Sequence, residues 1–214
     1  MTMVTTAPSG ANRSLPRDQL RERIFVAAIE LFRQAGYDAT TVDAIARRAG
    51  VAKGTVFNFF ATKGAILLAH YESLDAQFGR AMLVLDPADP RAALADFYGR
   101  AESLLRREGA LVDAILREIA VDATLRRVDR ASGVRDRERL AAYFRRCQAR
   151  GTVDAQVDPV VAGQAVADLW SATAQDWVRS GRRTSLERRL AAKLDVLFAG
   201  LAPGRRHRRG RHER

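Results

Sequence analysis

An all-α fold is predicted by three features of the sequence. Apolar residues recur three and four positions apart along most of its 214 residues, the period of helices with one buried face. Glycine and proline interrupt that pattern at intervals suited to a helical bundle. No alternating, β-branched run suggests a strand. The expected architecture is an N-terminal three-helix domain containing a helix-turn-helix, followed by a larger helical bundle. A chain of this length can bury a substantial core.

Residues 1–16 are small and polar and lack periodicity; they read as a flexible arm ending at Pro16. From Asp18 the apolar stripe Ile24, Ala27, Ala28, Leu31 and Phe32 predicts a first helix that Gly36 ends. Thr41 is expected to cap a short second helix with Val42, Ile45, Ala46 and Ala49 on its buried face, and Gly50 to stop it. A third helix is predicted from about Ala52 to Phe60, and Thr62 is expected to cap a fourth starting at Lys63. Residues 17–64 form the predicted first domain. Further helices are predicted near 63–85, 90–107, 109–128, 132–150, 158–180 and 185–201, making a second domain over 65–203. Pro87 and Pro90 separate the first pair, Gly109 and Gly133 mark weaker breaks, and Asp158–Pro159 places an N-cap before a proline at the first helical position. The segment 204–214 is arginine-rich and is expected to be disordered.

The net charge of +11 is unevenly placed. Residues 205–214 hold six arginines and one glutamate, and residues 1–64 hold nine basic and five acidic side chains, leaving only +2 on the other 140 residues. Charge gathered at the two ends suits a polyanionic partner. The single cysteine, Cys147, fits a reducing compartment. It is expected to act as a small buried hydrophobe rather than a redox sensor. Neither an apolar leader core nor an uncharged run of membrane-spanning length is present, and a cytoplasmic protein without membrane partners is expected.

Residues 41–60 carry the functional signal. Two short helices flank the turn Ala49-Gly50-Val51, which is helix-turn-helix spacing. Gly50 permits the positive φ of a tight turn, Ala46 allows close helix approach, and Val51 and Val56 fill the angle. The second helix of such a unit lies in the DNA major groove.

The stretch from Gly36 to Leu67, GYDATTVDAIARRAGVAKGTVFNFFATKGAIL, resembles the N-terminal domain of the TetR family of repressors. The matching positions are Gly36-Tyr37, Thr40-Thr41-Val42, Ile45-Ala46, Ala49-Gly50-Val51, Lys53-Gly54-Thr55, Phe60 and Lys63. The resemblance covers about 50 residues, Arg17 to Leu67. It implies a dimeric, ligand-released repressor on a palindromic, double-stranded operator. The expected DNA-binding residues are Thr41, Lys53, Gly54, Thr55, Phe57, Asn58, Phe59 and Lys63. Thr41 sits at a helix N-terminus, which favours a phosphate oxygen. Lysine can donate to guanine and asparagine can pair with adenine, Gly54 lets the backbone come close, and Lys63 resembles the family's phosphate-clamping lysine. Phe57 and Phe59 stand where tyrosines are frequent, Ala52 where a capping serine is common, and Gly64 where an acid is usual. Asp43 either complements the helix dipole or accepts from cytosine, the dipole being favoured.

The resemblance further implies dimerisation through the last two long helices, near 158–180 and 185–201. Leu169, Ala172, Thr173 and Asp176 mark one face of the first; Leu190, Leu194, Leu197 and Phe198 form a stripe on the second that could equally be monomer core. A hydrophobic small-molecule effector is expected among the middle helices, with Phe97, Leu104, Ile115, Ile119, Phe144, Trp170 and Trp177 as candidate ligand-binding residues and Phe78 and Tyr98 nearby. No nucleophile motif or phosphate-cradling loop is found, so no catalytic residue and no cofactor are expected. His70, His207 and His212 are too scattered for a metal site. Glu102, Glu108 and Asp113 read as solvated helix positions with i,i+4 partners. The rival readings are an activator of the same family, an enzyme built on a helical bundle, and a helical adaptor whose basic ends bind acidic protein or membrane.

Overall fold

A computed structural model describes residues 16–201. The expected arm, apart from Pro16, lies outside the described residues, as do the arginine-rich tail, His207 and His212. Among the described residues there are nine helices and no strand: α1 (Arg17–Ala35), α2 (Val42–Ala49), α3 (Lys53–Phe59), α4 (Lys63–Leu83), α5 (Pro90–Glu108), α6 (Ala110–Val121), α7 (Ala123–Ala149), α8 (Pro159–Arg179) and α9 (Leu186–Leu201). Contacts divide the chain into two compact units between Ile66 and Leu67, within α4.

In the first unit, α1 buries Ile24, Ala27, Ala28, Ile29 and Phe32. Ile29 joins the stripe, whereas Leu31 is only partly buried. Gly36, at φ 86°, ends the helix and donates its N–H to Phe32 O. The Thr40 hydroxyl donates to Gly36 O at 2.7 Å, which closes the connection to α2. Ile45 and Ala46 pack on α1, and Val56 and Phe60 complete the small core. Tyr37 meets Phe32 edge-on with ring centroids 5.1 Å apart.

In the second unit, α7 lies along α8, α9 packs on α5 and α8, and α6 packs on α7. A β-carbon at Gly163 of α8 would stand 2.7 Å from the backbone nitrogen of Ala141 in α7; the glycine lets the two helices approach. The core gathers Leu94, Tyr98, Leu140, Tyr143, Phe144, Cys147, Val166, Trp177, Leu186, Leu190 and Leu194. The Trp177 indole satisfies its N–H on Thr184 O at 2.8 Å. Leu190 and Leu194 are fully buried within one chain, so that part of the α9 stripe is monomer core. Thr173, expected on the α8 interface face, is also buried and accepts from Lys193 Nζ at 2.7 Å.

Two expectations from the sequence need correction. The break expected near Gly133 falls instead at Asp122, whose carboxylate caps α7 by accepting from Leu125 N at 2.7 Å. A single mid-helix glycine costs only about 1 kcal/mol, less than tertiary packing returns, so α7 runs through it. Glu102 and Glu108 are buried rather than solvated. Glu102 does pair with Arg106 at i,i+4, and it also accepts from Glu187 N at 2.8 Å and from the Ser185 hydroxyl, which fixes the start of α9. Burial alone would raise its carboxyl pKa, but these hydrogen bonds and Arg106 outweigh burial and lower it. Glu108 meets buried His70 at 3.0 Å. Asp113 is held by Arg182, the one non-glycine residue at positive φ among the described residues.

Candidate nucleic-acid interface and internal cavity

The turn between α2 and α3 is built from its backbone. Gly50 is left-handed at φ 63°, ψ 42°, and Val51 N–H returns to Ala46 O at 3.0 Å. Thr41 caps α2, its hydroxyl oxygen accepting from Ala44 N at 3.1 Å. Ala52 offers α3 no side-chain cap, as alanine must. Val56 is turned inward while Lys53, Gly54, Phe57 and Asn58 face solvent, with Thr55 and Phe59 half-buried. Phe57 is 45% exposed, an unusual position for a phenylalanine unless something covers it. No atom lies within 4 Å of where a β-carbon would stand on Gly54, so this surface is open to close backbone approach.

Three candidate contact residues already have partners. Lys53 Nζ donates to Asp43 at 2.8 Å, an exposed ion pair linking the start of α3 to the first turn of α2. Lys63 Nζ donates to Tyr37 O at 2.7 Å and to Asp38 O at 3.3 Å and lies 4.3 Å from the Tyr37 ring centroid. Phe59 lies under the Arg17 guanidinium, 5.8 Å away, and Phe60 under that of Arg21 at 4.8 Å. Arg48 pairs with Glu30 at 2.7 Å. These partners could not be read from spacing, because each joins residues far apart in the chain.

The second unit contains a cavity of about 210 Å³ lined from α4, α5, α6, α7 and α8. Of the candidate ligand-binding residues, Phe97, Ile115, Ile119 and Trp170 line it, as does Phe78. Leu104 lines a separate groove between α4 and α5. Phe144 and Trp177 are fully buried in the core and do not reach the cavity. The wall also has a polar strip the sequence reading missed: Tyr71, Asp75, Asp129, Ser132 and Asp136. The Tyr71 hydroxyl donates to Asp129 at 2.9 Å, Ser132 donates to Asp75, Arg135 donates to Asp75 at 2.8 Å, and Arg139 donates to Asp136 at 2.8 Å. Burial, then the charge of Asp129, pushes the Tyr71 pKa up. Burial also raises that of Asp136, with Asp75 adding to it. Cys147 is buried in the core and burial raises its thiol pKa, which suits a packing role. Among the described residues no group of three or more His, Cys, Asp or Glu could hold a metal ion, and no helix is long and apolar enough to cross a membrane.

A solvent-facing helix at the end of a tight helix-turn-helix, in a chain with a second helical unit that encloses a cavity, defines the class of one-component DNA-binding regulators. Comparison with known proteins narrows the class. Residues 24–70 match "Bacterial regulatory proteins, tetR family". The transcriptional repressor KstR of Mycolicibacterium smegmatis is 26% identical over 92% of this chain and 96% of its own length. The transcriptional activator FasR of the same organism is 43% identical, but only over 29% of this chain and 30% of its own. The crystal structure of Thermus thermophilus FadR, a TetR-family repressor in complex with lauroyl-CoA, superposes with a TM-score of 0.64 at 27% identity, covering 84% of this chain and 93% of that one. Residues 24–70 thus form a TetR-family DNA-binding domain, and over most of its length the chain is similar to TetR-family transcriptional regulators.

Proposed function

We propose that the protein is a dimeric repressor that holds a palindromic operator through two copies of α3 and releases it when a small molecule occupies the cavity. One observation carries the reading: α3 keeps Lys53, Gly54, Phe57 and Asn58 on an open surface while Val56 is buried beneath it. A helix so presented at the end of a helix-turn-helix suits the major groove. Lys53 and Asn58 are the base readers, Thr55, Phe57 and Phe59 flank them with a hydroxyl and apolar surface, and Gly54 permits close approach. Thr41 and Lys63 position the phosphate backbone. Lys63 has a third N–H to give beyond its two carbonyl partners.

The dimer forms through the sides of α8 and α9 that the monomer leaves exposed, including Ala172 and Val196, the latter 78% exposed. Each chain then reads one half-site, with centres about 34–36 Å or a multiple apart. The cavity is the effector site, and the effector acts by preferring the conformation that cannot hold DNA. Such a regulator works on the bacterial chromosome, in the cytoplasm.

Selection from random duplexes at about 150 mM salt with competitor DNA tests the reading. A recovered palindrome supports it. Uniform, salt-sensitive binding would favour a basic adaptor instead. Lys53→Ala separates the two: a base reader loses operator preference, whereas an adaptor loses only about one charge of salt dependence. FasR is named an activator, so the sign of regulation is read from a reporter placed behind the recovered operator.

A further inference from the structure

We propose that the cavity is selective for a compact organic amine, an apolar and preferably aromatic body carrying one ammonium group, with Asp129 as its counter-ion. The proposal rests on reading the cavity as the effector site and names the chemistry that site takes.

The wall carries three carboxylates and no lysine, arginine or histidine. Two of the three are already matched: Asp75 by Arg135, and Asp136 by Arg139. Among the described residues, Asp129 accepts from one neutral group, the Tyr71 hydroxyl, and pairs with no cation. Asp129 is half-buried, and a carboxylate partly withdrawn from water gains from a cation placed beside it. A ligand ammonium arriving beside Asp129 supplies the missing charge.

The remainder of the wall suits the body of such a molecule. Phe78, Phe97, Leu105, Val112, Ile115, Leu116, Ile119 and Trp170 give apolar surface. Trp170 is braced by a parallel stack on Tyr98 at 4.9 Å and sits 6.3 Å from Phe78, so its position is fixed before a ligand arrives. Aromatic faces also attract a cation. The raised Tyr71 and Asp136 pKa values share a contribution from neighbouring carboxylates, consistent with a negative potential across the polar strip. At about 210 Å³ the space is below the usual range of roughly 300–1,000 Å³ for drug-sized sites. A long, polyanionic thioester meets both the wrong charge and too little room, although lauroyl-CoA occupies Thermus thermophilus FadR.

The test uses the full chain and four probes: 4-phenylbutylamine, 4-phenylbutan-1-ol and 4-phenylbutyrate, which share one body, and lauroyl-CoA. Binding is followed by calorimetry and by tryptophan fluorescence, without DNA. The expected result is an amine about tenfold or more tighter than the alcohol, because a charge-assisted hydrogen bond replaces a neutral one, and no measurable carboxylate binding at the same concentrations. Asp129→Asn should bring the amine down to the level of the alcohol while leaving the alcohol unchanged. If that variant does not fold, the order of the probes on the unaltered chain still decides. An alcohol equal to the amine, a carboxylate or lauroyl-CoA that binds tighter, or no amine binding at all overturns the proposal. Operator selection is scored separately. A recovered palindrome without amine preference overturns only the effector class; amine binding without operator preference overturns the regulator reading and leaves the cavity chemistry standing.

Discussion

The Lys53–Asp43 ion pair sets up a competition that can be measured. Lys53 is the best-placed cation on α3 for a base or a phosphate, yet in the DNA-free chain it donates to Asp43 at 2.8 Å. Both side chains are about half exposed, 52% and 57%, so the pair contributes only about 0.2–1 kcal/mol. That amount is lost when Lys53 turns to DNA. Asp43→Asn removes it and also removes a negative charge from a surface that approaches phosphates. Operator affinity should therefore rise by about 1.4- to 5-fold per half-site, or about 2- to 30-fold for a two-fold dimer. Thermal stability should change little, since an exposed pair is cut. The assay is titration of the selected operator at two salt concentrations, with Lys53→Ala and the double variant completing a cycle. In the Lys53→Ala background the gain should shrink to the part that comes from charge alone. Weaker operator binding by Asp43→Asn, confined to sites with cytosine at one position, would refute the competition and show that the carboxylate reads a base.

Other variants test the packing behind the site. Gly50→Ala meets no neighbouring atom, but forces a β-carbon onto a left-handed residue; it should cost about 1–2 kcal/mol and lower the melting temperature, and an unchanged melting curve would refute that account of the turn. Gly163→Ala drives a β-carbon to 2.7 Å from the α7 backbone and should destabilise by about 1–3 kcal/mol, read by chemical denaturation. Glu102→Gln keeps the shape but loses charge-assisted bonds, and should cost about 1–3 kcal/mol at neutral pH. Because folding lowers the Glu102 pKa, its stabilisation is present above the unfolded value of about 4.3 and is lost as pH falls through the folded one. Denaturation at a series of acid pH values should therefore show a steeper loss for the unaltered chain than for Glu102→Gln.

The first unit was largely legible because its signals are local. A stripe of apolar positions, two threonine caps and two glycines specify α1 to α4 within a turn or two of where they act. Local rules also placed Asp158 and Pro159 at the start of α8. They failed at Gly133, where the packing of a 27-residue helix outweighs one weak residue, and they left Leu190 and Leu194 open between interface and core, since an apolar stripe does not state which surface it meets. Phe144 and Trp177 show the same limit, because aromatic size predicts burial and says nothing about which side of the core holds empty space.

The polar strip of the cavity was hidden for a different reason. Asp129, Ser132 and Asp136 lie on one face of α7 at steps of three and four, but Arg126, Arg127, Arg130, Arg135, Arg137 and Arg139 surround them in sequence. A stretch so charged reads as a solvated face. What turns that face inward is its neighbours across the fold, Tyr71 and Asp75 from α4 and Trp170 from α8, contributed by segments that lie far from the strip in the chain. The arginines do not contradict an inward carboxylate row. Two of them, Arg135 and Arg139, match Asp75 across the fold and Asp136 on the same helix, which is how a helix this polar can carry a lining wall at all, and which leaves Asp129, the lining carboxylate with no cation partner among the described residues, as the position where the cavity's selectivity should reside.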